Sequence, residues 1–247
     1  MNDPVKQFEA ECIAEIEAQG KDKELKLLSK TWQEKTTPYK YSYHFTWMGR
    51  PIIQMPTDII AMQEIIWKVK PNIIVETGIA HGGSAIFYAS MLELLNGNGI
   101  VVSVDIDIRK HNREAIEHHP MYNRIHMIEG SSTDDTVVEK VKSYIKPDDC
   151  VLVALDSCHS HSHVLRELEL YSPLVTKGSY LVCSDTIVEW DDASPQGMRP
   201  WGKGDNPMTA VWEWLKTKQG KRFTIDTGID DKVLISTNPN GYLRCIK

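Results

Sequence analysis

The stretch VALDSCHSHSHVL, residues 153–165, places Asp156 before three histidines at every second position, His159, His161 and His163. Carboxylates and imidazoles bind divalent metal ions, and imidazole also accepts protons near neutral pH. Three explanations fit this spacing: a metal site, a catalytic base beside unrelated histidines, or the polar start of an ordinary helix. The position of the stretch within the fold has to decide among them.

The composition limits the classes of function. Of the 247 residues, 41% are hydrophobic, which suits one large domain, or one domain with an arm. The net charge of -6 gives no global basic field, so neither nucleic acid nor an anionic membrane is an expected partner. The five cysteines are scattered and form no C-x-x-C pair, which favours a reducing compartment over a disulfide framework. The N-terminus is too charged for a signal peptide and no apolar run approaches the ~20 residues of a membrane span, so we expect a cytoplasmic protein.

Apolar strands that alternate with helical patterns predict the fold class from about residue 57 onward. Five short apolar runs end in polar or acidic residues, namely Glu76, Asp105, Glu129, Asp156 and Asp185. This alternation indicates a doubly wound, mostly parallel α/β sheet with helices on both faces. Two later runs, RFTIDTG and KVLIST, are predicted to form an antiparallel hairpin that completes a seven-stranded, Rossmann-like sheet.

The first 56 residues are predicted to form a separate arm, and residues 57–247 the main domain. Residues 5–30 have helical spacing, whereas residues 36–56 are irregular and rich in alternating aromatic side chains. An extended aromatic arm would pack on the main domain or on a neighbouring subunit. We therefore expect a homo-oligomer.

The first strand-to-helix turn, ETGIAHGGS, has the composition of a ligand-binding loop. Its glycines let the backbone approach a ligand and begin a helix whose N-terminal amides face that ligand. The loop lacks the dinucleotide fingerprint G-x-G-x-x-G, and an acid at the strand end favours a cationic or hydroxyl-bearing ligand. The pattern E-x-G-x-x-x-G resembles motif I of S-adenosylmethionine-dependent methyltransferases, with Ala80 where many have a middle glycine. A loop that serves only chain reversal is the alternative.

The neighbouring strand ends extend this predicted cofactor site. Asp105 is placed to accept both ribose hydroxyls, as the acid does in nucleoside-binding α/β folds. The segment EGSS, residues 129–132, would border the adenine, and His81 faces the same cleft as a contact or a cap. The predicted cofactor-binding residues are Glu76, Gly78, His81, Gly82, Ser84, Asp105 and Ser131.

Asp156 and Asp185 end consecutive apolar strands, so both should emerge at the rim that carries the cofactor loop. Two carboxylates suit Mg²⁺ or a similar ion, which keeps several waters and can lower the pKa of a substrate hydroxyl. The alternative is that one or both aspartates only cap the following helices.

Two resemblances narrow the interpretation. The pattern D-x-x-base after the fourth strand and D-[N/T] after the fifth resembles metal-dependent O-methyltransferases of the catechol type. This implies Asp156, Asp185 and Thr186 as metal ligands and His159 as the base.

A longer resemblance covers about residues 45–247 and runs through TWMGRPIIQMPTDIIAMQEIIWKVKPNIIVETGIAHGGSA, LDSCHSHSHVLRELELYSPLVTKGSYLV and NPNGYLRCIK. These segments are similar to the cephalosporin hydroxylase and rhamnosyl O-methyltransferase family. That family implies a class I methyltransferase fold and O-methylation of sugars or natural products. It often places Glu-Asp after the fifth strand, whereas Ser184 precedes Asp185 here, so one expected carboxylate is absent.

The resemblance implies an S-adenosylmethionine-dependent O-methyltransferase that acts on a sugar or small-molecule hydroxyl, with Asp156 and His159 as the catalytic residues. Residues 188–206, a long segment without periodicity that contains Trp190, Arg199 and Trp201, would cover the acceptor. Two alternatives remain open. One is an Fe(II)-dependent hydroxylase built on Asp156, His159 and His163, and the other is a non-catalytic nucleoside-binding subunit.

Overall fold

A seven-stranded sheet forms the centre of the fold in a computed structural model that describes residues 3–190 and 199–247. A small separate hairpin consists of β1 (Thr46–Trp47) and β2 (Arg50–Pro51). The main sheet contains β3 (Ile73–Thr77), β4 (Ile100–Asp105), β5 (Ile125–Glu129), β6 (Val151–Leu155), β7 (Tyr180–Cys183), β8 (Phe223–Ile225) and β9 (Tyr242–Cys245). The strand order is β5-β4-β3-β6-β7-β9-β8; β3 to β7 are parallel and β9 is antiparallel to both β7 and β8. The predicted fold class is confirmed.

Helices precede the sheet and cover both of its faces. They are α1 (Pro4–Lys21), α2 (Lys23–Thr36), α3 (Pro56–Val69), α4 (Gly83–Leu94), α5 (Lys110–Glu117), α6 (Asp135–Lys142), α7 (His161–Tyr171), α8 (Pro207–Trp214) and α9 (Thr227–Val233). No helix among residues 3–190 and 199–247 is long and apolar enough to span a bilayer.

The central strands are buried on both faces of the sheet. Successive side chains point to opposite faces, so each strand contributes to two core clusters. In β3, Ile74 joins the core cluster that includes residues of α3 and α4. Ile73 and Val75 join the other cluster, which includes residues of α6, α7 and α8. This two-sided burial explains why the central strands read as continuous apolar runs in the sequence.

The predicted C-terminal hairpin is wrong in its second strand. RFTIDTG does supply β8, but its antiparallel partner is β9, not KVLIST. The helix α9 spans Thr227–Val233 and so includes the first two residues of KVLIST. Its Ile229 and Val233, four residues apart, pack on the core cluster that contains residues of α3 and α4. Burial at helical spacing outweighs the strand propensity of this β-branched run.

The N-terminal arm also differs from its prediction. Asp22 divides the helical region into α1 and α2, because its side chain accepts hydrogen bonds from the first amides of α2. Residues 36–56 are not an extended arm. They contain two 3₁₀ turns, Thr37–Tyr39 and Tyr41–His44, and the β1–β2 hairpin.

The arm packs on the main domain. The Trp47 indole donates to the Ser90 hydroxyl over 3.0 Å and meets the Phe87 ring edge-on at 4.8 Å between centroids. The Gln33 side chain donates to the Ser236 carbonyl over 2.6 Å. The domain boundary near residue 56 stays a prediction.

Replacing Gly83 should show how firmly the arm is packed. A Cβ at Gly83 would lie 2.2 Å from the Pro51 carbonyl oxygen and 2.6 Å from the Ile52 Cα, and backbone atoms cannot move aside cheaply. We expect Gly83→Ala to lower the free energy of unfolding by about 1–3 kcal/mol in urea titration. Gly97→Ala is the matched control, because its nearest heavy atom would be 3.9 Å away. Equal stability of the two variants would contradict a firmly packed arm.

Candidate functional site

Asp156, His159 and Asp185 meet at the carboxyl edge of the sheet. Asp156 follows β6 and Asp185 follows β7, and His159 lies in the loop before α7. One carboxylate oxygen or imidazole nitrogen from each of the three lies within 4.8 Å of the other two. The His159 Nε2 is 3.2 Å from the Asp185 Oδ2. The structure therefore brings two of the three predicted metal ligands together with the predicted base.

The electrostatics of this trio suit a divalent cation. Burial raises the pKa of Asp156 well above its usual range, and the nearby carboxylates of Asp185 and Glu76 raise it further. Facing carboxylates repel each other unless a cation lies between them. Two carboxylates suit Mg²⁺, and the nearby imidazole would extend the donor set to ions such as Mn²⁺ or Fe²⁺.

Thr186, the third predicted metal ligand, holds the polypeptide at this edge. It is fully buried, and its hydroxyl donates to the Pro239 carbonyl over 2.7 Å. The hydrogen of that hydroxyl is thus directed to the chain itself. A role for Thr186 as a ligand stays a prediction.

The backbone of Asp185 needs support because its φ of 53° lies in the left-handed region, which non-glycine residues rarely adopt. Its amide donates to the Asn238 Oδ1 over 3.1 Å, and the Ile187 amide donates to the Thr237 carbonyl over 3.1 Å. The segment 236–242 therefore holds the loop that carries this carboxylate.

Asp58, a buried carboxyl of α3, anchors that C-terminal segment. It accepts hydrogen bonds from the Ser236 hydroxyl, the Thr237 amide and, over 2.8 Å, the Tyr242 hydroxyl. Asp58 and Asn238 are not among the residues predicted from the sequence. An acid in the first turn of a helix is ordinary, and for Asn238 the only signal is its place in the NPNGY motif.

The glycine loop, residues 76–84, lies directly against the end of β6, where Asp156 is located. A Cβ at Gly78, whose φ is 92°, would lie 2.0 Å from the Asp156 carbonyl oxygen. Asp105 holds the same loop, because its Oδ2 accepts the amides of Ile79 over 2.7 Å and Ala80 over 3.2 Å. The predicted ribose acid therefore also has a structural role, and Gly78 is required by close packing as well as by its φ.

Arg50 and Asn112, which the sequence analysis missed, fix the other side of the loop. The Arg50 guanidinium donates to the His81 carbonyl over 2.6 Å and to the Asn112 side-chain oxygen over 3.0 Å. The Asn112 amide donates to the Ala80 carbonyl over 2.8 Å. His81 is partly buried, and Gly82, with a φ of 81°, is the N-cap residue that precedes α4. Arg50 lies in the TWMGRP segment of the resemblance, and nothing in the sequence marks Asn112.

Three other predicted cofactor residues hold polar contacts near the loop. Glu76 is buried in β3, accepts the Ser103 hydroxyl over 2.7 Å and is hydrogen-bonded to Ser84. Burial raises the pKa of Glu76 to about 7 against the lowering effect of these two serines. Ser131 is partly buried, with its hydroxyl 2.9 Å from that of Thr133. Direct contact of these residues with a cofactor stays a prediction.

The other two histidines do not belong to the cluster of Asp156, His159 and Asp185. The His161 Nδ1 is 2.8 Å from the Thr209 hydroxyl and its Nε2 is 3.2 Å from the Glu213 carboxylate, both on α8. The His163 Nε2 lies 3.0 Å from the hydroxyls of Ser132 and Ser157. The iron set of Asp156, His159 and His163 is therefore not assembled, because His163 turns toward two serines of the neighbouring loops.

An aromatic wall stands beside His159. The Trp201 ring meets the His159 ring edge-on at 5.2 Å, and the Arg199 guanidinium lies over Trp201 at 5.6 Å. Arg199 also donates to the Tyr43 hydroxyl over 3.1 Å. This hydrogen bond links the N-terminal arm, which contains Tyr43, to the aromatic wall of Trp201 and Arg199. Trp190 is 40% exposed. Residues 191–198 of the predicted covering segment lie outside the described residues.

Glu76 should give the protein a measurable pH dependence of stability. The unfolded chain ionises this carboxyl near its ordinary pKa of 4.5, whereas the folded chain keeps the proton up to about pH 7. The free energy of unfolding therefore falls as pH rises between these values. For Glu76→Gln, we expect the stability relative to wild type to increase by about 3 kcal/mol from pH 5 to pH 8.

Urea titrations of both proteins at pH 5 and pH 8 would measure this difference. The comparison with the variant is necessary because burial also raises the pKa of Asp230 to about 7. The pH dependence of the wild-type free energy of unfolding therefore includes the ionisation of both carboxyl groups. A stability difference that does not change with pH would contradict the assignment to Glu76.

Comparison with known proteins places this chain in a family. The family model for rhamnosyl O-methyltransferase/CmcI matches residues 39–246. A rhamnosyl O-methyltransferase of Mycobacterium leprae is 32% identical over 200 residues, covering 80% of this chain and 82% of that protein. One of Mycobacterium bovis is 28% identical over 203 residues, covering 80% of this chain and 77% of that protein.

Solved structures agree on the fold. The apo structure of CmcI aligns with a TM-score of 0.58 at 17% identity, covering 83% of this chain and 77% of that one. The CmcI structure with Mg and SAM aligns with a TM-score of 0.57 at 17% identity, covering 83% and 78%. With the family model matched over most of its length, the chain belongs to the rhamnosyl O-methyltransferase/CmcI family, which makes it an O-methyltransferase.

Proposed function

We propose that this O-methyltransferase transfers a methyl group from S-adenosylmethionine to a sugar hydroxyl, with a divalent cation at Asp156 and Asp185 and His159 as the general base. The observation that carries the proposal is the meeting of Asp156, His159 and Asp185 against the glycine loop. The mycobacterial relatives are named rhamnosyl O-methyltransferases, which supports a sugar acceptor.

S-adenosylmethionine would supply the methyl group as the electrophile. On the protein side, Gly78 and Gly82 shape the loop, and Asp105 and Ser131 would bind the adenosine half. Asp105 can hold the glycine loop and bind the ribose at the same time. Its carboxylate accepts hydrogen bonds from two loop amides and has further lone pairs for ribose hydroxyls. Glu76, Ser84 and His81 complete the predicted set of cofactor-binding residues.

Asp156 and Asp185 would hold the cation, with Thr186 as a further oxygen at the same edge. A bound divalent cation would lower the pKa of the acceptor hydroxyl. These two carboxylates need no rearrangement to converge, because the ends of adjacent parallel strands β6 and β7 already place them together. Ser184, where the family often has a glutamate, leaves the carboxylate set at two.

His159 is placed to accept the hydroxyl proton. Its contact with Asp185 and the edge of Trp201 restrict the orientation of the imidazole, and only 12% of its side chain is exposed. A fixed imidazole beside the cation site can remove a proton at the moment when the oxygen attacks. The alternative role for His159 is that of a third metal ligand, which the same distances permit.

Trp201, Arg199 and Tyr43 would form the acceptor wall. The apolar face of a sugar ring packs well on an aromatic ring, while guanidinium and phenol groups bond its hydroxyls. The wall lies next to His159, so a sugar held there would present a hydroxyl to the base.

Location and assembly belong to the proposal as well. The five cysteines are free, which fits a cytoplasmic protein. All residues of α1 are described and none is buried, while Val5, Phe8 and Ile13 are exposed apolar side chains. Uncovered apolar side chains on a long helix support a homo-oligomer.

Calorimetry with S-adenosylhomocysteine tests the cofactor assignment directly. We expect binding to the wild-type protein, and Asp105→Ala should weaken it at least tenfold because ribose contacts and loop support are lost together. Absence of binding heat for the wild-type protein would refute the proposed function. Asp107→Ala, an exposed acid two residues further on, is the matched control.

His159→Ala separates the two roles of the histidine. As the base, its loss should lower turnover about 10²-fold or more while the affinities for S-adenosylhomocysteine and for Mg²⁺ stay near wild type. Unchanged turnover would refute the base. A parallel loss of Mg²⁺ affinity would instead assign His159 to the metal, and His161→Ala provides the control for a histidine of the same stretch that lies away from the trio.

A further inference from the structure

We propose that His163 is a positioning residue that fixes the cofactor side of the site relative to the metal side. The inference rests on the proposed function, because it assigns cofactor and cation to the two loops that His163 joins. In its described contacts, His163 touches Ser132 of the segment predicted to border the adenine, but none of the seven predicted cofactor-binding residues and none of Asp156, His159 and Asp185.

The His163 ring connects two loops that come from different strands. Its Nε2 lies 3.0 Å from the Ser132 hydroxyl in the loop after β5 and 3.0 Å from the Ser157 hydroxyl in the loop after β6. Ser132 is 5% exposed and follows the predicted adenine-side residue Ser131. Ser157 directly follows the metal-side residue Asp156.

A buried carboxyl group sets the direction of the hydrogen bond between His163 and Ser157. The Ser157 hydroxyl donates to the Glu167 Oε1 over 2.7 Å, so its oxygen is left to accept from the His163 Nε2–H. Glu167 is fully buried and lies one turn after His163 on α7. The helix therefore presents a donor and an acceptor to the same serine, which fixes the position of the hydroxyl.

The position of Ser157 is transmitted to both halves of the site. A Cβ at Gly78 would lie 2.0 Å from the Asp156 carbonyl oxygen and 3.1 Å from the Ser157 Cα, so no free space separates the glycine loop from this peptide. A shift of Ser157 would move Asp156 and press on the glycine loop at once. Through Ser132, the same imidazole also holds the loop that would border the adenine.

His161 shows that these contacts are specific to His163. The two side chains belong to the same helix turn and have similar exposure, 26% for His161 and 22% for His163. Among the described residues, the His161 side chain contacts Thr209 and Glu213 of α8, and its backbone amide donates to Asp205. A histidine that merely packs the start of α7 would look like His161.

The test compares His163→Ala, His163→Gln and His161→Ala by calorimetry with S-adenosylhomocysteine and by titration with Mg²⁺. We expect H163A to weaken S-adenosylhomocysteine at least tenfold, which corresponds to ~1.4 kcal/mol, and to weaken Mg²⁺ as well. H163Q should restore most of both affinities, because an amide N–H can replace the Nε2–H. H161A should lower the melting temperature but keep both affinities within twofold of wild type.

The outcomes separate this inference from the function on which it rests. If wild type binds S-adenosylhomocysteine and H163A binds it equally well, or if H161A loses as much affinity, the positioning role is refuted and the proposed function stands. If wild type does not bind, both are refuted. Should H163A fail to fold, Ser132→Ala decides: loss of S-adenosylhomocysteine affinity with unchanged Mg²⁺ affinity supports the link, and unchanged affinity for both overturns it.

Discussion

The approach of the Gly78 backbone to the Asp156 carbonyl is the contact on which the rest of the site depends. No side chain fits at Gly78, so the loop after β3 and the loop after β6 share one surface. This places the predicted cofactor-binding loop and the trio of Asp156, His159 and Asp185 side by side. Methyl transfer requires donor and acceptor in line at short range, and this contact determines how far apart their sites can be.

The site concentrates negative charge in a poorly hydrated region, which is unfavourable in the absence of ligands. Burial raises the pKa of both Glu76 and Asp156, and the neighbouring carboxylates oppose ionisation further. A cationic cofactor and a divalent ion would both relieve this cost. The same residues that lower the stability of the ligand-free protein would thereby increase its affinity for positively charged ligands.

Those features of the fold and site that follow from local pattern were predictable from the sequence. The β3 to β7 strands, the glycine loop and the aspartates at the ends of β6 and β7 all follow from apolar periodicity and from the rule that parallel strands end at one rim. KVLIST was misassigned because strand propensity says nothing about the core that Ile229 and Val233 reach in a helix. Arg50, Asp58, Asn112 and Asn238 escaped because their contacts join segments far apart in sequence, which no local pattern reports.

The dependence of Asp185 on Asn238 has a consequence for how the site forms during synthesis. Asp185 adopts a left-handed backbone, and its amide is held by a side chain 53 residues later in the chain. Asp58, near the other end, anchors the same C-terminal segment. Ribosomal synthesis proceeds from the N-terminus, so the glycine loop and β3 to β6 can assemble on the emerging chain while the carboxylate pair cannot. Metal-binding competence would therefore be acquired only after residues 236–242 have left the ribosome.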